Sequence, residues 1–108
     1  MLDQVSIIKA GKFINRSDIE RIVESMTQDR NSDIYVDFTE TLFITSSAVG
    51  LLLSKKKNFL GRRIWLVTAT SNISHLLDYV GVTIFYKVVD INSNEVPADV
   101  RKLITEGA

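Results

Sequence analysis

The fold is decided in residues 33–53. They read Asp33-Ile34-Tyr35-Val36-Asp37-Phe38, then Thr39-Glu40-Thr41-Leu42-Phe43-Ile44, then Thr45-Ser46-Ser47-Ala48-Val49-Gly50-Leu51-Leu52-Leu53. In the first piece Ile34, Val36 and Phe38 recur with period two and share one face of a strand. The middle piece reads as a loop. In the last piece Val49, Leu52 and Leu53, with Leu60 beyond, keep helical spacing. Lys55-Lys56-Lys57 falls on the wetter side, and Gly61 suits a C-cap. The stretch is therefore a strand, a loop and a helix that starts in a cluster of hydroxyl residues.

The same alternation extends in both directions. Upstream, Val5-Ser6-Ile7-Ile8-Lys9 is short and β-branched and reads as a strand, with a second extended piece at Lys12-Phe13-Ile14. Ser17-Asp18-Ile19-Glu20 has the capping-box pattern. Ile19, Ile22, Val23 and Met26 then form one apolar stripe of a helix over about 17–29. Downstream, Arg63-Ile64-Trp65-Leu66-Val67-Thr68 is the near-continuous apolar run of a strand covered on both faces. Ser71 or Asn72 can cap the next helix, in which Ile73, Leu76, Leu77 and Val80 face inward and which Gly81 ends. Thr83–Val89 reads as a strand that includes Phe85. Pro97 opens a last helix with Val100, Leu103 and Ile104 on its stripe, before Gly107.

The order β(β)αβαβαβα implies an α/β fold with a mainly parallel sheet and right-handed crossovers. The edge near the N-terminus has room for an antiparallel strand. With no Pro/Gly/Ser-rich linker and no repeat, residues 1–108 read as a single domain.

Composition narrows function. Leu, Ile, Val and Phe make up 38 of 108 residues, enough to bury a core and too many for a disordered tail. Thirteen basic and thirteen acidic side chains cancel, which argues against binding to nucleic acid or an anionic membrane by charge. Without cysteine there is no disulfide or thiolate chemistry, and His75 alone supplies imidazole. No apolar run is long enough to span a bilayer. Met1-Leu2-Asp3-Gln4 lacks the start of a signal peptide, so the expected setting is the cytoplasm.

Little catalytic chemistry is on offer. G-x-x-x-x-G-K-[ST], G-x-G-x-x-G and G-x-S-x-G are all missing. His75 with Asp78, and Asp37 with Glu40, are weak acid/base pairs beside their ordinary reading as surface and strand-end residues. Lys55, Lys56, Lys57, Arg62 and Arg63 form a basic run, read as a solvated face or a patch for an acidic protein. Phe59, Trp65 and Phe85 read as packing residues. Three consecutive leucines cannot all face one sheet, and Leu51 is the one expected to be partly exposed. Thr45-Ser46-Ser47 marks a helix start, where backbone N–H groups and the dipole favour a cap or a phosphate. Here Ser46 reads as the cap and Ser47 as a wet first-turn residue.

From Gly11-Lys12-Phe13-Ile14 through the Thr45–Gly50 turn to the last strand, residues 5–105 resemble the STAS domain. That family includes bacterial anti-sigma-factor antagonists and the tails of sulfate transporters. Its motif at this turn is Asp-Ser-Ser/Thr-Gly-Leu/Ala-Gly. Thr45 stands at the motif's Asp, Ala48 at its first Gly and Ile14 at the Asp of its Gly-x-Leu-Asp segment.

The resemblance implies a four- to five-stranded, mostly parallel mixed sheet with four helices mainly on one face, and neither catalytic centre nor cofactor. It implies capture of an anti-sigma factor that is also a serine kinase of the histidine-kinase-like ATPase type. That kinase would phosphorylate Ser47, with Ser46 and Thr45 as weaker acceptors. The expected partner-binding residues are Ser46, Ser47, Ala48, Leu51 and Lys55. Two alternatives stand beside it: a STAS domain that senses a nucleotide or lipid, and a constitutive subunit of a transporter or larger assembly. An exposed sheet edge also permits a homodimer.

Overall fold

In the computed structural model, residues 5–29, 33–59, 62–79, 81–84 and 86–106 are described. Expectations for Met1–Gln4, Leu60, Gly61, Val80, Phe85 and Gly107 lie outside the described residues. The protein is α/β. Strands β1 (Val5–Lys9), β3 (Asp33–Phe38), β5 (Arg63–Thr68) and β6 (Lys87–Asp90) form one sheet in the order β1-β3-β5-β6, every pair parallel. Two further short strands, β2 (Phe13–Ile14) and β4 (Phe43–Ile44), make a separate parallel ribbon. Helices α1 (Arg16–Gln28), α2 (Ser46–Ser54), α3 (Ser71–Tyr79) and α4 (Ala98–Thr105) complete the fold.

Among the described residues the edge strand near the N-terminus, β1, runs parallel to β3 and not antiparallel as expected. The connection between them carries α1, and a crossover of that length returns the chain in its original direction.

The pleat sorts the core. Ile8, Ile34, Val36, Phe38, Ile64, Leu66 and Val88 belong to a cluster with residues of α1, α2 and α3. Ile7, Tyr35, Trp65, Val67 and Val89 pack with Val100 and Ile104 of α4 on the other face. Three helices thus cover one face and a single helix the other. Strand β5 lies between two neighbours with both of its faces packed, as its apolar run requires.

Several boundaries move for local reasons. The capping box of α1 is Asn15 with Asp18, not Ser17 with Glu20: Asp18 N–H donates to Asn15 Oδ1 at 3.0 Å and Asn15 N–H to Asp18 Oδ2 at 2.9 Å. Asn15 leaves β2 in an extended conformation, and this puts its carbonyl oxygen over the first turn. At α3 the cap is Thr70 rather than Ser71 or Asn72, with Ile73 N–H donating to Thr70 Oγ1 at 3.4 Å. Beyond α3, Gly81 has φ +84°, a conformation that costs a residue with a Cβ, and its N–H donates to the Asp78 carbonyl at 3.0 Å.

The expected long second helix stops at Ser54. A 3₁₀ turn over Lys56–Phe59 follows and delivers Phe59 into the core. The expected strand over 83–89 is only Lys87–Asp90, preceded by a 3₁₀ turn at Val82–Ile84. Tyr86 explains the loss: its N–H bonds back to the Val82 carbonyl at 2.9 Å, and its buried hydroxyl donates to the Leu52 carbonyl at 2.7 Å. Among the described residues, no helix is long and apolar enough to cross a membrane.

Candidate functional site

The hydroxyl cluster sits where the ribbon hands the chain to α2. Pairing of β4 with β2 holds the backbone extended up to Thr45, whose N–H donates to the Ile14 carbonyl at 2.9 Å. Thr45 is therefore the last extended residue and becomes the N-cap. Its Oγ1 accepts from Ala48 N–H at 3.1 Å, and its carbonyl accepts the first helical bond, from Val49 N–H, at 3.1 Å. Ser46, expected as the cap, is instead the first helical residue. Ser46 and Ser47 are exposed, and Ser47 Oγ lies 3.3 Å from Thr45 Oγ1. Ile14 points inward and is 1% exposed.

The other expected partner contacts do not join Ser46 and Ser47. Ala48 is 0% exposed and Leu51 6% exposed, so neither offers surface. Leu51 turns toward α1, lining a crevice there with Val23, Thr27 and Lys55. Lys55, half-buried, caps the far end of α2, roughly 12 Å along the axis from Ser47 at 1.5 Å per residue. The reason is that Ala48 and Leu51 lie on the face of α2 that packs into the core with α1. The leucine left half-exposed is Leu53, on the opposite flank.

That flank opens into a groove of about 620 Å³. Leu42, Phe43 and Ile44 of the ribbon side form one wall, and Ser46, Val49, Gly50 and Leu53 of α2 the floor. Asn72, Ile73 and Leu76 of α3 form the other wall. None of these side chains is charged, and the size is that of an ordinary ligand or peptide cleft. Beside it stand three of the four large apolar side chains exposed among the described residues: Phe13 at 69%, Leu42 at 64% and Phe43 at 57%. The fourth is Tyr79, at the end of α3. Phe13 and Phe43 are register partners, with Ile14 and Ile44 turned inward beside them. Sequence reasoning missed this patch. The legible signal was the repeated Phe-Ile dipeptide, whose alternation in two short strands must send both rings outward.

The arginines and carboxylates singled out from the sequence are occupied. Arg62 donates to the Met26 carbonyl at 2.6 Å and to the Asp29 carbonyl, which closes the end of α1. Arg63 holds Asp33 in a two-point contact at 2.6 and 3.3 Å. The basic run is thus partly structural. Asp37 is buried and accepts from Thr39 N–H and Oγ1 at 2.8 and 2.6 Å. Glu40 pairs with Lys9 at 2.9 Å; the hydrogen bond and the opposite charge hold its carboxyl below the usual range and the Lys9 amine above its own. Asp78 accepts from Thr83 Oγ1 at 3.0 Å. Among the described residues, no group of three or more His, Asp or Glu is placed to hold a metal ion.

No family model matches the chain, and no curated protein matches it.

Proposed function

We propose that this protein is a non-enzymatic, STAS-like regulatory domain of the cytoplasm that captures a partner protein through the start of α2 and the adjoining groove. The partner is an anti-sigma factor that is also a serine kinase of the histidine-kinase-like ATPase type, and Ser47 is its phosphoacceptor. The observation that supports this reading is the placement of Ser47. Its hydroxyl is exposed on the first turn of a helix already capped by Thr45, so modification need not break the fold.

The physics of such a switch is asymmetric. A phosphate adds about −1.5 to −2 charge at neutral pH. On this domain the charge meets the positive end of the α2 dipole and is tolerated. On a partner seated over the same turn it meets steric conflict and repulsion by acidic groups.

The test begins with pull-down by the full chain from its source organism and identification of the bound protein. Titration calorimetry then compares wild type, Ser47→Ala and Ser47→Asp. Wild type and Ser47→Ala bind alike, and Ser47→Asp loses about 1–3 kcal/mol. Equal binding by all three refutes the switch. A bound protein without kinase character refutes the partner.

A further inference from the structure

Gly50 stands in the middle of α2, exposed, on the floor of the groove. Its backbone is helical and its φ is not in the left-handed region, so the conformation does not call for glycine. A Cβ built on it meets nothing within 4 Å, so internal packing does not call for glycine either. A glycine inside a helix nonetheless costs about 0.5–1 kcal/mol relative to alanine. The gap it leaves faces outward into the groove, where a side chain from outside the chain has room to enter.

Side chains of the right kind stand next to it. Leu42 and Phe43 line the same groove and are largely exposed, and Phe13, exposed as well, pairs with Phe43 in the adjoining ribbon. At about 150–250 Å² for a whole aromatic side chain, these three together present roughly 350 Å² of apolar surface. That is near half of one partner's share of a standard interface, about 800 Å², before the groove lining is counted.

We infer that the occupant is a second copy of this chain. Two copies pair about a twofold axis, with Phe43 of each, flanked by Leu42, seated over Gly50 of the other. A twofold interface must be self-complementary, and a patch that carries both the projection and the recess meets that requirement. Electrostatics permits it: no charged side chain lines the groove, and the formal net charge of the chain is zero, so like faces do not repel. The sheet edges are poorer sites. Strand β1 ends in Lys9 and β6 begins with Lys87, both in exposed ion pairs, and lysine on an edge strand opposes strand addition. Because Ser46 lines the groove, pairing competes with capture of any other protein at the start of α2. The inference does not depend on Ser47 being modified.

Sedimentation velocity on the full chain, from micromolar to near-millimolar concentration, tests it. Wild type moves toward twice the 12.2 kDa of one chain as concentration rises. Phe43→Ser removes the projection and Gly50→Leu fills the recess. Each raises the dimer dissociation constant at least about tenfold. Circular dichroism melts confirm that both variants fold; Gly50→Leu melts no lower than wild type, since leucine is the better helix former. Mixing the two variants restores one of the two symmetric contacts, so the mixture sediments faster than either alone. A wild type that stays at 12.2 kDa throughout overturns the inference, and a melting temperature that then rises with a fatty acid assigns the groove to a small ligand. Dimers that ignore both substitutions, or a mixture with no recovery, overturn it as well.

Discussion

The N–H of Thr45 donates to the carbonyl of Ile14 at 2.9 Å, and this bond hangs the start of α2 from the β2–β4 ribbon. It links residues that are far apart in the chain. Through it, the ribbon decides which of three consecutive hydroxyl residues caps the helix, and so which of them are exposed to solvent.

Thr45→Ala removes the side-chain acceptor for Ala48 N–H. The expected loss is about 1 kcal/mol, equivalent to a fall in melting temperature of roughly 4–8 °C for a domain of this size. Thr45→Ser keeps the acceptor and melts near wild type. Calorimetric melts of the three proteins check the order; equal melting of Thr45→Ala and wild type assigns the cap elsewhere.

Ser47→Asp places a carboxylate in the first turn of α2, where the helix dipole favours it by about 0.3–1 kcal/mol. Its urea midpoint is expected at or above that of wild type. This control separates two explanations of weakened partner capture. A lower midpoint would mean that the substitution acts through unfolding rather than at the contact surface.

Leu51→Ala is expected to cost about 2–5 kcal/mol, because the side chain is buried between α2 and α1. Ala48→Leu, at a fully buried position, is expected to cost about 1–3 kcal/mol through overpacking. Urea denaturation measures both. Either substitution proving silent for stability would return that residue to the surface.

Stability should fall in alkali through Tyr86. Burial pushes its hydroxyl up from 10.0 to about 12, since the charged phenolate would be desolvated there. The folded state then holds the proton more tightly than the unfolded chain. The contribution is complete below pH 10.0 and is lost as pH rises toward about 12, on the order of 2 kcal/mol. Burial also raises Tyr35, in the same direction. Urea midpoints between pH 9 and about 11.5 test this. Tyr86→Phe, weaker by about 1 kcal/mol at neutral pH, should show a flatter decline; an unchanged slope would place the titration on another group.

Periodicity by itself determined the α/β class and the face assignments. Ile34, Val36 and Phe38 go to one side, and Ile19, Ile22, Val23 and Met26 form the buried stripe of α1, because side-chain direction follows from backbone geometry alone. The alternation of strands and helices also implied the parallel sheet, whereas the caps and the exposed surface were decided only by tertiary structure. Ser17, Ser46 and Ser71 are all chemically fit to cap, but Asn15, Thr45 and Thr70 take that place; at α1 and α2 the cap is the extended residue that follows a ribbon strand, and long-range pairing of that ribbon sets where extension ends. Leu51 and Leu53 are the same side chain in one helix. Only the position of α1 buries the first and leaves the second beside an open groove.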